Sequence, residues 1–245
     1  MSYSMDLSIV IPSYNEGDKI ARDIEAAGVF LEENKLVGEI IVVDDGSNDD
    51  TAGAAEETQV PEGVGKKVIR LETNRGKGHA VRTGITATSG DYVMFADSGG
   101  CVPYSFALKG LGLLRSGACE IAHGSRKLPE SCIVYSHYVH RQVSSRLFRW
   151  LAVHYAGIPS HLTDSQCGFK MYRGDIGREL YGECQSERFM FDVEIILRAE
   201  RKGYWIVEFP IEWKSDRDTR FRFFSASMWS MVDLRGLKKI LKLSK

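Results

Sequence analysis

The residues able to do chemistry come in short clusters, each at or just after the end of an apolar run. The clusters are Pro12-Ser13-Tyr14-Asn15-Glu16-Gly17, Asp44-Asp45-Gly46-Ser47, Asn74-Arg75-Gly76-Lys77-Gly78 and Asp97-Ser98-Gly99-Gly100. Asp44 or Asp45 can accept hydrogen bonds from a base imide or a ribose hydroxyl. Arg75 and Lys77 stand beside glycines that let backbone N–H groups approach closely, which suits a diphosphate at a helix N-terminus. Asp97 can take a ribose hydroxyl or a divalent cation. Taken singly, each cluster has a plainer reading: D-D-G-S is a turn with a helix cap, and R-G-K-G is a weak phosphate signal. Gathered at one edge, they mark a ligand site. The G-x-G-x-x-G fingerprint is absent after the first apolar run, and so is the P-loop pattern, which argues against NAD and against the usual ATP hydrolysis.

The elements that must position these clusters alternate. Apolar, β-branched runs at 7–12, 39–44, 68–71 and 92–96 read as strands, and helical periodicity fills 18–35, 50–57 and 78–88. Uninterrupted apolar strands separated by helices predict a mostly parallel α/β sheet covered on both faces. Ligands of such sheets bind beyond the carboxyl ends of the strands, where all four clusters fall. The second half is less regular. It predicts a helix over 103–115, a strand over 120–123 and a long basic, aromatic helical stretch over 134–155. Strands at 167–172 and 206–213 flank a helix at 191–202, and a last helix covers 228–245. With no linker, repeat or low-complexity stretch, the chain reads as one domain over 1–245. Its nucleotide-binding half covers about 7–126 and its acceptor half about 127–245.

Composition narrows the function classes. The 245 residues are 43% hydrophobic and 27% charged, which excludes a disordered tail, a collagen-like fibre and a disulfide miniprotein. Lys and Arg total 32 against 33 Asp and Glu, a formal charge of -1, so no electrostatic case exists for nucleic acid as a partner. Five cysteines lie scattered with no C-x-x-C pair, predicting free thiols in a reducing compartment and no zinc site. The polar N-terminus and the lack of a long apolar stretch predict a cytoplasmic protein, at most peripheral on the cytosolic face of a membrane. Leu234, Leu237, Ile240 and Leu241 recur at helical spacing among Arg235, Lys238, Lys239, Lys242 and Lys245. Such a basic amphipathic helix can lie on an anionic bilayer or cap the domain with its apolar face inward. His140, Arg141, Arg146 and Arg149 similarly read either as anion-binding groups or as a solvated helix face.

Several motifs carry a resemblance. V-I-P-S-Y-N-E, V-V-D-D-G-S-x-D-x-T, N-x-G-K-G-x-A-V-x-x-G, A-D-S-G, G-S-R, D-S-Q-C-G-F-K and F-D-V-E-I-I resemble the family-two glycosyltransferases of GT-A fold. The likeness runs from about 7 to 213 and is strongest to the polyprenyl-phosphate (dolichyl-phosphate) glucosyl- and mannosyltransferases. It implies an inverting enzyme that moves a hexose from UDP-glucose or GDP-mannose to a lipid phosphate, using Mg²⁺ or Mn²⁺. It also implies Pro12, Tyr14, Glu16 and Asp44 around base and ribose, with Asp45 close by and Arg75 and Lys77 near the nucleotide. Asp97, beside Ser98, is implied as the acid that meets ribose and metal, and Arg126 as a cation near the phosphates. Asp164 and Gln166 would face the sugar and acceptor, with Asp192 and Glu194 near the same cleft.

Two departures matter. Gly99 stands where the family's D-x-D motif has its second acid, leaving Asp97, Asp164 or His123 to supply donors for a metal. In place of a G-S-K pattern the chain reads Ser215-Asp216-Arg217-Asp218-Thr219-Arg220, so Arg217 or Arg220 is either a replacement cation for a phosphate or part of a solvated cluster. The acceptor sets the remaining demand. An alcohol needs a general base such as Asp164, whereas a phosphomonoester arrives as an oxyanion and needs only cations to hold it. A soluble or glycan acceptor, and a relative that binds nucleotide sugar without turnover, are the competing readings.

Overall fold

The structure is a computed structural model that describes residues 5–134 and 157–214. A seven-stranded sheet runs in the order β3-β2-β1-β4-β7-β5-β8. Its strands are β1 Leu7–Ser13, β2 Gly38–Asp44, β3 Gly65–Arg70, β4 Tyr92–Ala96, β5 Ile121–Ser125, β7 Phe169–Arg173 and β8 Ile206–Pro210. A two-stranded ladder pairs β6, Cys132–Ile133, with β9, Glu212–Trp213. Strands β3, β2, β1 and β4 are parallel, and β7 enters antiparallel between β4 and β5. Two reversals return β5 to the direction of β4, so the carboxyl ends of β1, β2, β4 and β5 share one rim with the amino end of β7.

Helices cover both faces. One face packs α1, Ile20–Glu33, and α4, Ala107–Arg115, on Leu7, Ile9, Ile11, Met94 and Phe169. The opposite face packs α3, Lys77–Thr86, α5, Gly174–Glu183, and α6, Phe191–Lys202, on Val10, Val43, Phe95 and Tyr172. Alternate residues of β1 thus feed opposite cores, as the period-two geometry of a strand demands. Burial on both sides explains why β1 and β2 are continuous apolar runs. A short helix α2, Thr51–Glu57, follows β2.

The expected α/β class and mostly parallel sheet are observed, with differences in the second half. Helix α5 was not legible in the sequence. The run at 206–213 divides at Ile211 into two strands in different sheets, and 103–115 opens with a 3₁₀ turn, Tyr104–Phe106. The expected basic stretch lies almost wholly outside the described residues, as do the final helix, Arg217 and Arg220. No helix among the described residues is long and apolar enough to cross a membrane. All five cysteines are free thiols.

Candidate active site

The β1 and β2 ends are tied into one platform. The Asn15 N–H donates to Ser47 Oγ (2.8 Å), the Glu16 N–H to Thr51 Oγ1 (2.9 Å) and the Asn48 N–H to Asn15 Oδ1 (2.9 Å). These bonds fix the segment holding Pro12, Tyr14 and Glu16 against the loop after Asp44. Asp44 is fully buried, and its Oδ1 accepts the N–H and hydroxyl of Ser47. Its Oδ2 has no hydrogen-bond partner among the described residues, and the exposed Arg70 guanidinium stands 3.8 Å away. A buried carboxylate oxygen left open is costly, so it marks a place for an outside donor. Asp45 has a different task. It accepts the Arg75 and Gly76 N–H groups at 3.1 and 2.7 Å, shaping the turn into α3, while burial pushes its carboxyl up despite those bonds.

At the middle of the rim three acids each hold a cation. Asp97 pairs with Lys77 across 2.6 Å, Asp164 with Arg126, and the buried Asp192 with the buried Lys170. Phe95 organises two of these pairs, with Lys77 Nζ 5.8 Å and Lys170 Nζ 5.9 Å from its ring centre. Burial works against the Lys77 ammonium, but the Asp97 and Asp192 carboxylates more than offset it and raise its pKa. Asp97 lies against Gly168, where a Cβ would sit inside its carboxylate. The glycine of D-S-Q-C-G-F-K is therefore what allows Asp97 its position.

The Arg126 pair is bidentate. Nε reaches Asp164 Oδ2 at 2.6 Å and Nη2 reaches Oδ1 at 2.8 Å, and the Arg126 N–H adds a third bond to Oδ2 at 3.1 Å. Asp164 is itself held by its own N–H, donated to Glu208 Oε1 at 2.7 Å, and the Trp213 ring lies 5.6 Å from the guanidinium carbon. Burial favours the neutral acid, yet Arg126 prevails and holds Asp164 below the usual carboxylate range. Such an acid is a poor proton acceptor but a firm anchor for an arginine. The sequence reading makes Asp164 the base for an alcohol acceptor; here its oxygens are already engaged.

The other predicted residues divide. Residues two apart on a helix face opposite ways, and Asp192 and Glu194 show it. Asp192 joins the rim, whereas Glu194 turns away, accepting the Gln185 and Ser186 N–H groups and pairing with Arg198. Arg75 pairs with Glu187 and is half exposed. Ser98 and Gln166 lie on the rim segments beside Asp97 and Asp164, both half-buried. His123, considered as a metal donor, packs edge-on against Tyr172 in the core at 1% exposure, and burial with nearby Lys170 holds its pKa well below normal. Lys170, Glu208 and Trp213 were not singled out in the sequence. A charged residue inside an otherwise apolar strand was the available signal for Lys170 and Glu208.

No group of three or more His, Cys, Asp or Glu forms a metal cage among the described residues. Mg²⁺ commonly binds through one or two carboxylates together with substrate phosphates and water. Asp97, half-buried at a strand tip beside cations suited to phosphate, fits that mode once Lys77 yields the carboxylate.

A rim of this kind, with an open acceptor, a glycine-bearing turn and a line of cations, offers groups that can hold a nucleotide and its phosphates at the edge of an open α/β sheet. Residues 8–180 match Glycosyl transferase family 2, and the chain belongs to that family as a glycosyltransferase of GT-A fold. It is 32% identical over 223 residues to the dolichyl-phosphate beta-glucosyltransferase of Drosophila melanogaster, covering 86% of this chain and 68% of that protein. The protein of the same name in Homo sapiens is 29% identical over 225 residues, with the same two coverages. Glucosyl-3-phosphoglycerate synthase from Mycobacterium tuberculosis, solved with Mn²⁺, uridine-diphosphate-glucose and phosphoglyceric acid, superposes with a TM-score of 0.66 at 21% identity. The match covers 97% of this chain and 78% of that one. Mannosyl-3-phosphoglycerate synthase from Rubrobacter xylanophilus gives 0.68 at 19% identity, over 98% and 75% of the two chains.

Proposed function

We propose that this chain transfers glucose from UDP-glucose to the phosphate of a polyprenyl (dolichyl) phosphate, with inversion, as a peripheral protein on the cytosolic face of a membrane. The observation that carries the acceptor class is the pairing of Asp97, Asp164 and Asp192 with Lys77, Arg126 and Lys170. Each central acid is paired with a cation, and Asp164, held below the usual carboxylate range with both oxygens on Arg126, is a poor base, which favours a nucleophile that arrives as an oxyanion. A phosphomonoester does so at neutral pH, and the names of the relatives point to the same acceptor.

The residues then take these roles. Asp44 Oδ2 accepts a hydrogen bond from the base, and the Pro12–Glu16 segment closes over base and ribose. Lys77 and Arg126 stabilise the negative charge that grows on the leaving diphosphate. Asp164 and Glu208 preorganise Arg126, so little reorganisation is left for the moment of transfer. Asp97 would hold Mg²⁺ or Mn²⁺ together with the diphosphate, and the ion would supply further charge neutralisation there. Arg75 reaches the nucleotide by exchanging Glu187 for phosphate. Gln166 and Asp192 border the sugar and acceptor side.

The test is transfer of labelled glucose from UDP-glucose to dolichyl phosphate in detergent micelles, with dolichol as the matched alcohol. Labelled lipid with the phosphate and none with the alcohol is the expected result. Transfer to dolichol at a comparable rate would overturn the oxyanion argument, and transfer only from GDP-mannose would overturn the donor.

A further inference from the structure

The turn after β4 holds Asp97 and carries two glycines, Gly99 and Gly100, with no side chain of their own to brace it. Gly99 and Gly100 both adopt left-handed backbone, with φ of 92° and 60°. A tight turn can bring successive N–H groups to one side, where they favour an anion. Here the anion is internal. Asp23, in the first turn of α1, accepts the Gly99 N–H at Oδ2 across 2.7 Å.

Asp23 is only 5% exposed and lies in a small recess under the turn, whose lining includes Asp97, Tyr104, Cys167 and Trp213. Tyr104 is fixed there by Phe30 and Phe169, at ring-centre distances of 6.1 and 6.5 Å. An acid in the first turn of an amphipathic helix can remain in water, and this one is buried beside Ile20, Ile24 and Ala27.

We propose that Asp23 is a positioning residue for the donor site: from α1 it braces the 97–100 turn and so holds Asp97 toward the diphosphate, a task that Gly99 has no side chain to perform. The inference rests on the donor-site reading above. The charge environment agrees with a residue kept for something other than stability. Burial pushes the Asp23 carboxyl up to about 6 against the pull of the Gly99 N–H, Glu16 from the β1–α1 loop adds to the rise, and Arg22 opposes it. Tyr104 is the titratable group facing it from the 3₁₀ turn, and Asp97, Cys101 and Cys167 share the recess. A buried carboxylate ionised at neutral pH against its surroundings costs folding free energy, so a neutral isostere should fold at least as well.

The experiment measures UDP-glucose affinity by calorimetry and melting temperature at pH 7.5 for wild type, Asp23→Asn and Asp23→Ala. Asn keeps the shape but reduces a charge-assisted bond to a neutral one, so the dissociation constant should rise about 5-fold while the melting temperature holds or rises. Ala removes the acceptor, and affinity should fall more than about tenfold. Affinities within twofold of wild type in both variants would overturn the proposal, as would an Asn variant that loses affinity and melting temperature together. Should the Ala variant not fold, the Asn result decides. A wild-type chain that binds no nucleotide sugar overturns the donor-site reading and this inference with it; wild-type binding with unmoved variants overturns this inference alone.

Discussion

Asp164→Asn is the sharpest perturbation of the rim, because it keeps shape and removes one charge. In the wild type both Asp164 oxygens face Arg126, and the acid is 2% exposed while the arginine side chain is 29% exposed. The amide can satisfy only one guanidinium N–H and sets its own NH₂ against the other. Removing one member of a buried pair costs about 3–5 kcal/mol, and the lower end applies because Arg126 can still reach water. For a domain of this size each kcal/mol shifts melting by about 2–4 °C, so about 3 kcal/mol predicts a drop of about 6–12 °C at pH 7.5. The pH dependence fixes the cause. Asp164 titrates below its ordinary value in the folded protein, so its contribution is present above the unfolded pKa of ~3.9 and is lost as pH falls through the folded pKa. The melting gap between wild type and variant should therefore close as the pH drops below about 4. Turnover should fall about 100-fold, the scale of one misdirected charge-stabilising donor. Scanning calorimetry at several pH values checks it. A gap under about 2 °C at pH 7.5, or one that persists unchanged in acid, would refute the reasoning.

Three further outcomes follow from the same geometry. Lys77→Met removes the ammonium meant for the diphosphate, worth about 1.5–3 kcal/mol as a charged hydrogen bond, so calorimetry should show donor affinity falling at least tenfold. Asp44→Asn must keep an oxygen toward the Ser47 N–H, which turns its NH₂ to the open side and offers a donor where the base needs an acceptor; UDP itself should bind at least tenfold more weakly. Gly168→Ala places a methyl inside the space of the Asp97 carboxylate, at a cost of about 1–3 kcal/mol, and should abolish glucose transfer while leaving a folded protein by circular dichroism.

Much of this was legible before any coordinates, and the reasons are local. Strands β1, β2 and β4 are buried on both faces and so write themselves as unbroken apolar runs, and the helix at Phe191–Lys202 matches its predicted bounds because its apolar period and its Gly203 stop agree. Helix α5 was hidden by its glycines, which weaken the helical signal. Gly174 and Gly177 are there because a Cβ would meet the Gly90 carbonyl and the Val93 side chain. The strand clusters announced a rim, since small and charged residues directly after apolar runs need a reason. What they could not announce was pairing. That Asp164 belongs to Arg126, that Glu194 faces away from Asp192, and that Asp23 reaches across from α1 are facts of the sheet order β4-β7-β5 and of helix rotation, invisible to spacing along the chain.

The most direct test of the central claim, that this rim grips a nucleoside-diphosphate hexose, is the melting temperature of the wild-type chain with UDP-glucose, GDP-mannose, UDP-GlcNAc and UDP-glucuronate, each with and without Mn²⁺. At 100 times its dissociation constant a ligand stabilises by ~2.7 kcal/mol, or about 5–11 °C here. The account predicts that shift for UDP-glucose, larger with Mn²⁺ than without. An unchanged melting curve with all four donors would contradict it.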